Sequence, residues 1–292
     1  MTTKPLPTPN TTYATPAVAA ILEPYFEAKT GQDVEGLMSF YAKERTSHND
    51  AVIGWANLSW EVLRDLFAQY MPTFGDGRSY ATQVFGDENS AVVFVTNEAA
   101  VFGGDMRAIS AVDFQDGKIT RFVDYWDARH FGTRAANGMA VPATEFPQTF
   151  GEDGLPDRAA PRMRETVDAL TGAFAAANAD RAAALFADDA VLDDFALRIR
   201  VRAKPAITRY LGRAIDTLPY GSGATVRRVL GDGRGGGYEW VNPAGPIPRG
   251  ITALGLDEDG RIEQLSVVYD AALLDDDELV AAMGRVPDPR EE

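Results

Sequence analysis

The chain has 292 residues, a formal net charge of −15 and an isoelectric point near 4.6. That balance argues against a nucleic-acid partner, because phosphate binding calls for a basic surface. There is no cysteine and there are two histidines, His48 and His130, which excludes disulfides, thiolate metal sites and a multi-histidine zinc site within one chain.

Residues 1–15 are polar and proline-rich and read as a disordered leader without the regions of a signal peptide. No apolar run approaches the ~18 residues of a membrane span, so a soluble, cytoplasmic protein is expected. Residues 16–29 carry Val18, Ile21, Leu22, Tyr25 and Phe26 at helical spacing, with Pro24 predicting a kink or restart. Residues 33–42 read as a second helix capped near Asp33. A strand is expected at 45–53. A third helix follows at 58–71, with Leu58, Val62, Leu66 and Tyr70 as its apolar stripe. Strands are expected at 79–85, 91–100, 106–114 and 118–126, the last two joined by the turn Gln115-Asp116-Gly117. Residues 135–160, rich in Pro, Gly, Thr and Asp, read as a linker. The order then recurs: helices at 162–177 and 179–187, a strand at 190–201 and a helix at 204–216. Strands near 224–230, 237–242, 249–257 and 261–269 complete the repeat, and a helix at 274–283 ends it.

The recurrence is visible residue by residue. Tyr41 matches Phe186, Asn49 matches Asp194, Val62 matches Ile207 and Gly86 matches Gly231, each 145 apart (186 − 41). Ile119 matches Ile262 and Asp127 matches Asp270, now 143 apart (270 − 127). A constant offset with one short shift marks a duplicated domain. The expected fold class is α+β: two tandem cone-shaped barrels, each a curved antiparallel or mixed sheet wrapped around helices. The expected divisions are 16–134, the linker, and 161–286.

The segment Gly117-Lys118-Ile119-Thr120-Arg121-Phe122-Val123-Asp124-Tyr125-Trp126-Asp127 resembles the last hairpin of the nuclear transport factor 2-like superfamily. It is most similar to the branch of limonene epoxide hydrolase and SnoaL-like polyketide cyclases. Residues 185–194 resemble the helix-to-strand entry seen in ketosteroid isomerase. The resemblance implies a small-molecule pocket in the cone. It also implies that Asp124 activates water or a substrate proton, and that Asn49 holds that water. The arginine and second aspartate of the hydrolase pattern fall on Glu98 and Ala100, so the hydrolytic triad is broken. The first-strand acid that serves as base in the isomerases falls on Asp194 in the second half.

The candidate catalytic residues are therefore Asp124, Glu98 and Asn49, with His48 and, in the second half, Asp194. Strand alternation puts His48 and Asp50 on one face and Ser47 and Asn49 on the other. Family match selects Asn49 and Asp124 as the inward residues, with Glu98 as acid partner, and turns His48 outward. Trp126, Tyr41, Trp55 and Phe102 are candidate substrate-lining residues, and His130 a rim residue. In the second half Val267 stands where Asp124 does and Pro243 where Glu98 does, so that half reads as degenerate, packed on the first as an intramolecular pseudo-dimer. Its run 235–240 is too glycine-rich for a firm strand assignment. The expectation is a cofactor-free acid–base enzyme acting on an apolar small molecule by cyclisation, isomerisation, dehydration or epoxide opening. The alternatives are a non-catalytic carrier or partner-binding module, and an epoxide hydrolase. A further homodimer stays open, and neither metal nor membrane is implied.

Overall fold

The computed structural model describes residues 5–286. It contains two sheets of one strand order. The first unit opens with β1 (Asn10–Ala14), α1 (Pro16–Thr30) and α2 (Val34–Met38). It continues with β2 (Ser47–Asp50), β3 (Trp55–Leu58), α3 (Trp60–Tyr70), β4 (Ser79–Gly86) and β5 (Ser90–Asn97). It ends with α4 (Ala99–Phe102), β6 (Met106–Gln115), β7 (Lys118–Trp126), α5 (Ala128–Phe131) and α6 (Thr133–Met139). The second holds α7 (Pro161–Ala175), α8 (Ala179–Ala184), β8 (Phe186–Asp194), β9 (Ile199–Arg202) and α9 (Lys204–Ala214). Then come β10 (Thr225–Gly231), β11 (Gly235–Val241), β12 (Arg249–Leu256), β13 (Ile262–Tyr269) and α10 (Asp276–Met283). The sheets run β1-β4-β5-β6-β7-β2-β3 and β10-β11-β12-β13-β8-β9, identical once β1 is set aside.

Local chemistry explains the helices and corrects several expectations. Thr15 caps α1, its hydroxyl accepting from the Val18 amide at 3.4 Å. Pro24 removes one donor but does not break the helix, because Val18, Leu22, Tyr25 and Phe26 bury one face in the concave sheet. The leader is not free along its length: Asn10–Ala14 forms an edge strand parallel to β4. Residues 45–53 are not one strand, since the chain turns after Asp50 and returns as β3, antiparallel to β2. The second-half strand at 190–201 likewise divides into β8 and β9. On α3 the buried face is Leu63 and Phe67, while Val62 and Tyr70 are 52% and 42% exposed.

The convex faces of the two sheets pack on each other. Phe85, Val92, Phe94, Ile109, Val123 and Tyr125 meet Leu230, Ile251, Ala253 and Val268 in one apolar layer. Within it lies a satisfied polar knot: both Arg121 terminal nitrogens donate to Glu239 at 2.8 and 2.9 Å, and Tyr125 Oη donates to Glu239 at 2.8 Å. The glycine run 235–237 is a strand after all, and its composition has a packing cause. A Cβ on Gly235 would stand 1.9 Å from the Tyr13 carbonyl oxygen of β1, so only glycine lets the two units approach this closely. The segment read as a linker is partly ordered by the same interface. Arg121 Nε donates to the Phe150 carbonyl at 2.7 Å, and Phe146 and Phe150 pack on the shared layer.

Candidate active site

The concave side of the first sheet encloses a cavity of about 150 Å³. Its wall is mostly apolar: Ile53, Leu66, Phe67, Phe74, Val95, Met106, Phe122 and Phe131, with Trp55, Phe102 and Trp126 as expected from sequence. Besides Tyr70 at the end of α3, four ionisable side chains line it: Lys29 from the last turn of α1, His48 and Asp50 from β2, and Asp124 from β7. The parallel pairing of β2 with β7 sets Asp50 beside Asp124 and His48 beside Phe122. Side chains alternate along a strand, so this register brings His48, Asp50, Asp124 and Trp126 to the concave face together.

Asp124 is held at one oxygen by Ser110, whose hydroxyl donates at 2.5 Å. The second oxygen lies 3.9 Å from His48 Nε2, too far for a hydrogen bond. Burial pushes the Asp124 carboxyl above its ordinary value, opposed by the Lys29 charge and the Ser110 bond. Its side chain is 24% accessible, enough to be reached from the cavity. His48 stacks on Phe122 with ring centroids 5.3 Å apart. Burial, helped by the Lys29 charge, pushes its pKa down to about 3, so it is neutral. Tyr41 Oη lies 3.2 Å from His48 Nδ1, and Tyr25 Oη lies 3.1 Å from Tyr41 Oη. Read as a relay of donors, this network assigns Nδ1 as acceptor and leaves the Nε2 proton facing Asp124.

Asp50 has a different character. Its Oδ1 accepts from the amides of Val52 and Ile53 at 2.9 and 3.1 Å, and its Oδ2 accepts from Trp126 Nε1 at 2.8 Å. Burial and the neighbouring Asp124 push it up to about 7 against those bonds.

Several sequence assignments are corrected here. Asn49 is fully buried on the opposite face: its amide donates to the Phe122 carbonyl at 3.1 Å and its oxygen accepts from the Asn57 amide at 2.8 Å. It joins β2 to β7 and β3 and does not reach the cavity. Glu98 precedes α4 and pairs with Arg78, accepting also from the Arg78 amide at 3.1 Å; it lies outside the cavity lining. His48 faces inward, not outward. Tyr41 is 4% exposed and stands behind His48 rather than on the wall. His130 lies in a separate cleft with Asp194, Arg107 and Arg198. Sequence reasoning missed Lys29 and Asp50. The alternation already paired Asp50 with His48, but the family match was weighed above it.

The second unit is an internal control. Asp194 pairs with Val267 as Asp50 pairs with Asp124, so the structural partner of Asp194 is Asp50 (194 − 50 = 144), one residue from the sequence alignment. A one-residue shift in a strand exchanges the two faces. The same shift accounts for the misread stripe on α3, whose Leu63 and Phe67 superpose on Ile207 and Leu211 of α9. Asp194 repeats the Asp50 bonds, accepting from the Leu197 amide at 2.9 Å and Tyr269 Oη at 3.0 Å, and burial pushes it up to about 7. This acid is thus a shared turn anchor. The other three change together: Phe174, Leu192 and Val267 occupy the places of Lys29, His48 and Asp124. Phe174, Tyr220, Trp240 and Tyr269 meet ring to ring at centroid distances of 5.9 to 6.4 Å inside that cone; beside them Leu197, Tyr210, Leu218, Asn242 and Tyr269 line a cleft of about 460 Å³ that receives none of the three groups.

A family model described as SnoaL-like domain matches residues 22–122. The match falls within the first unit, and the second unit repeats that unit's strand order. Among solved structures it is similar to a steroid delta-isomerase from Pseudomonas aeruginosa, with 20% identity, 46% of this chain and 93% of that one covered, and a TM-score of 0.35. It is also similar to an NTF-2-like protein of unknown function from Burkholderia xenovorans LB400, at 20% identity, covering 37% and 83%, with a TM-score of 0.32. A SnoaL-like protein of unknown function from Burkholderia thailandensis E264 is 14% identical, with 38% and 96% covered and a TM-score of 0.33. No curated protein matches the chain. Among the described residues no group of three or more His, Asp or Glu is placed to hold a metal ion, and no helix is long and apolar enough to cross a membrane.

Proposed function

We propose that the first unit is a cofactor-independent acid–base enzyme acting on a small apolar molecule, with Asp124 as the proton-accepting group. The observation that carries the reading is the joint replacement. Lys29, His48 and Asp124 share one cavity, and all three places are taken by buried apolar residues in the sister unit, while the structural acid is kept. Ionisable groups in an apolar wall are destabilising unless they serve a purpose, and such clusters concentrate at functional sites.

The chemistry follows from the two faces presented to a ligand. Asp124 offers an acceptor oxygen fixed by Ser110, and burial raises its proton affinity above that of an ordinary carboxylate. Neutral His48 offers an N–H donor held by the tyrosine relay. A substrate bound against Phe122 and Trp126 would lose a proton to Asp124 while an oxygen developing charge accepts from His48. Isomerisation, dehydration or cyclisation of a carbonyl or hydroxyl compound fits this pair. The epoxide hydrolase alternative loses its water-holding asparagine, because Asn49 faces away. The test is Asp124→Asn, which keeps size and the Ser110 contact. Turnover is expected to fall by roughly 10²–10⁴ with ligand affinity retained; unchanged turnover would reject the base, and a carrier would show binding with no turnover in either protein.

A further inference from the structure

The proposed mechanism leaves one reactive group in the cavity unused. We propose that Lys29 is a nucleophile that captures small apolar aldehydes or ketones as a Schiff base, which makes carbonyl compounds the substrate class of this site. The inference shares the cavity with the preceding section; addition of the amine stands without Asp124, and only loss of water and enamine formation rest on it.

The placement of Lys29 is unusual for this chain. The sequence has five lysines, at 4, 29, 43, 118 and 204. Three of the others are held at the surface: Lys43 Nζ sits over the Trp60 ring at 5.0 Å, and Lys118 and Lys204 donate to the carbonyls of Ser39 and Ala184 at 2.7 and 3.3 Å. Lys29 is half-buried at the end of α1 and lines the apolar cavity. Among the described residues it has neither a hydrogen-bond acceptor nor a carboxylate within ion-pair distance. Burial lowers its pKa, with the Asp124 charge opposing, so the neutral amine needed for attack is favoured. A structural lysine would be tied to a partner, whereas this one is aimed at empty space beside an acid. The sister unit carries Phe174 there, buried in its apolar core.

The step balances with groups already present. The Lys29 Nζ lone pair attacks the carbonyl carbon, and the carbonyl π pair moves to oxygen, which takes the proton released by nitrogen. The carbinolamine then expels water as the C=N bond forms, the departing hydroxyl being protonated by the Asp124 carboxylic acid. The resulting iminium acidifies the adjacent C–H, and the Asp124 carboxylate left behind removes that proton to give an enamine. No oxidant, reductant or metal enters.

The experiment is reductive trapping of the full-length protein over a range of benzaldehyde concentrations with cyanoborohydride at neutral pH, quenched early and followed by peptide mapping. The expected result is a benzyl adduct on Lys29 forming at least about tenfold faster than on Lys43, Lys118 or Lys204 and saturating with aldehyde, as for a bound reactant. Lys29→Arg is expected to abolish the fast adduct. Labelling of Lys29 no faster than those three, or a rate that stays linear in aldehyde, overturns the proposal. The two readings separate: an adduct on Lys29 with turnover that survives Asp124→Asn would sink the base and leave the amine. Turnover lost in Asp124→Asn with no Lys29 adduct would do the reverse.

Discussion

The sister unit supplies its own design for a first unit without function. The triple substitution Lys29→Phe, His48→Leu and Asp124→Val installs the residues found at those places in the second unit. Replacing a buried polar constellation by packed apolar residues of similar volume is typically neutral to stabilising by about 1–4 kcal/mol. Filling the cavity adds to this, with a ceiling near 4 kcal/mol if ~24 cal/mol per Å³ applies over all of the roughly 150 Å³. Against this, Ser110 loses its carboxylate and Tyr41 loses the imidazole, at about 1–3 kcal/mol for each polar group left alone. Tyr41 keeps Tyr25 as partner. Thr252 faces Val267 as Ser110 faces Asp124, so the second unit already keeps a buried hydroxyl opposite an apolar residue. The net expectation is a gain of about 1–3 kcal/mol with turnover abolished. Urea unfolding at pH 7, followed by fluorescence of Trp55, Trp60 and Trp126 in the first unit, reads the change. A properly folded triple variant that loses more than about 1 kcal/mol would refute the view that these residues are kept for function at the expense of stability.

Further expectations concern the supporting residues and pH. Asn49→Ala should destabilise by about 1–3 kcal/mol, because it orphans the Phe122 carbonyl and Asn57 amide, while kcat in the surviving folded protein stays near wild type; a selective loss of kcat would return Asn49 to the site. Glu98→Gln should change turnover less than twofold, roughly the scale of a substitution outside the site, as a direct rate assay would show. Glu239→Gln should destabilise by several kcal/mol, about 3–5 for a broken buried pair, because Arg121 is 1% exposed; chemical unfolding measures it. Asp194 binds protons in the folded state up to about pH 7 against 3.8 for the ordinary carboxyl, so its contribution is full below 3.8 and is lost as pH rises to 7. Asp194→Asn should flatten that part of the stability curve, worth about 4 kcal/mol at 1.36 kcal/mol per unit. His48 runs the other way: held neutral to about pH 3 against 6.5, it stabilises above 6.5 and loses that contribution as pH falls toward 3. Its ring nitrogen shifts by NMR should therefore show no titration near 6.5.

The duplication, the strand meanders and the identity of Asp124 as a cavity residue were legible in the sequence, because apolar alternation and turn residues repeat in both halves. Two of the failures share one physical origin. The offset between the halves slips by one residue between Tyr41 and Asp50, where no insertion announces it, and a slip of one exchanges the faces of a strand. It put Asn49 rather than Asp50 opposite Asp194, and Val62 rather than Leu63 in the core. Strand alternation alone would have placed His48 and Asp50 correctly. Lys29 was hidden for another reason: a lysine at a helix end reads as a solvated cap, and only the tertiary position of α1 turns it inward. The glycines of β11 argued against a strand because the cause of their presence, the approach of Tyr13 from the other unit, is separated from them by more than two hundred residues.

The central claim is that the reactive site lies in the first unit, on Asp124 and His48, and that the cleft of the second unit is not a second copy of it. A crystal structure of the protein soaked with a small apolar ketone such as cyclohexanone tests it most directly. The account predicts one ligand against Phe122 and Trp126, with an oxygen at roughly 2.6–3.2 Å from His48 Nε2 or Asp124, and the ring cluster around Tyr220 undisturbed. Ligand bound beside Asp194 with the first cavity empty, or Asp124 turned away onto a cation, would contradict it.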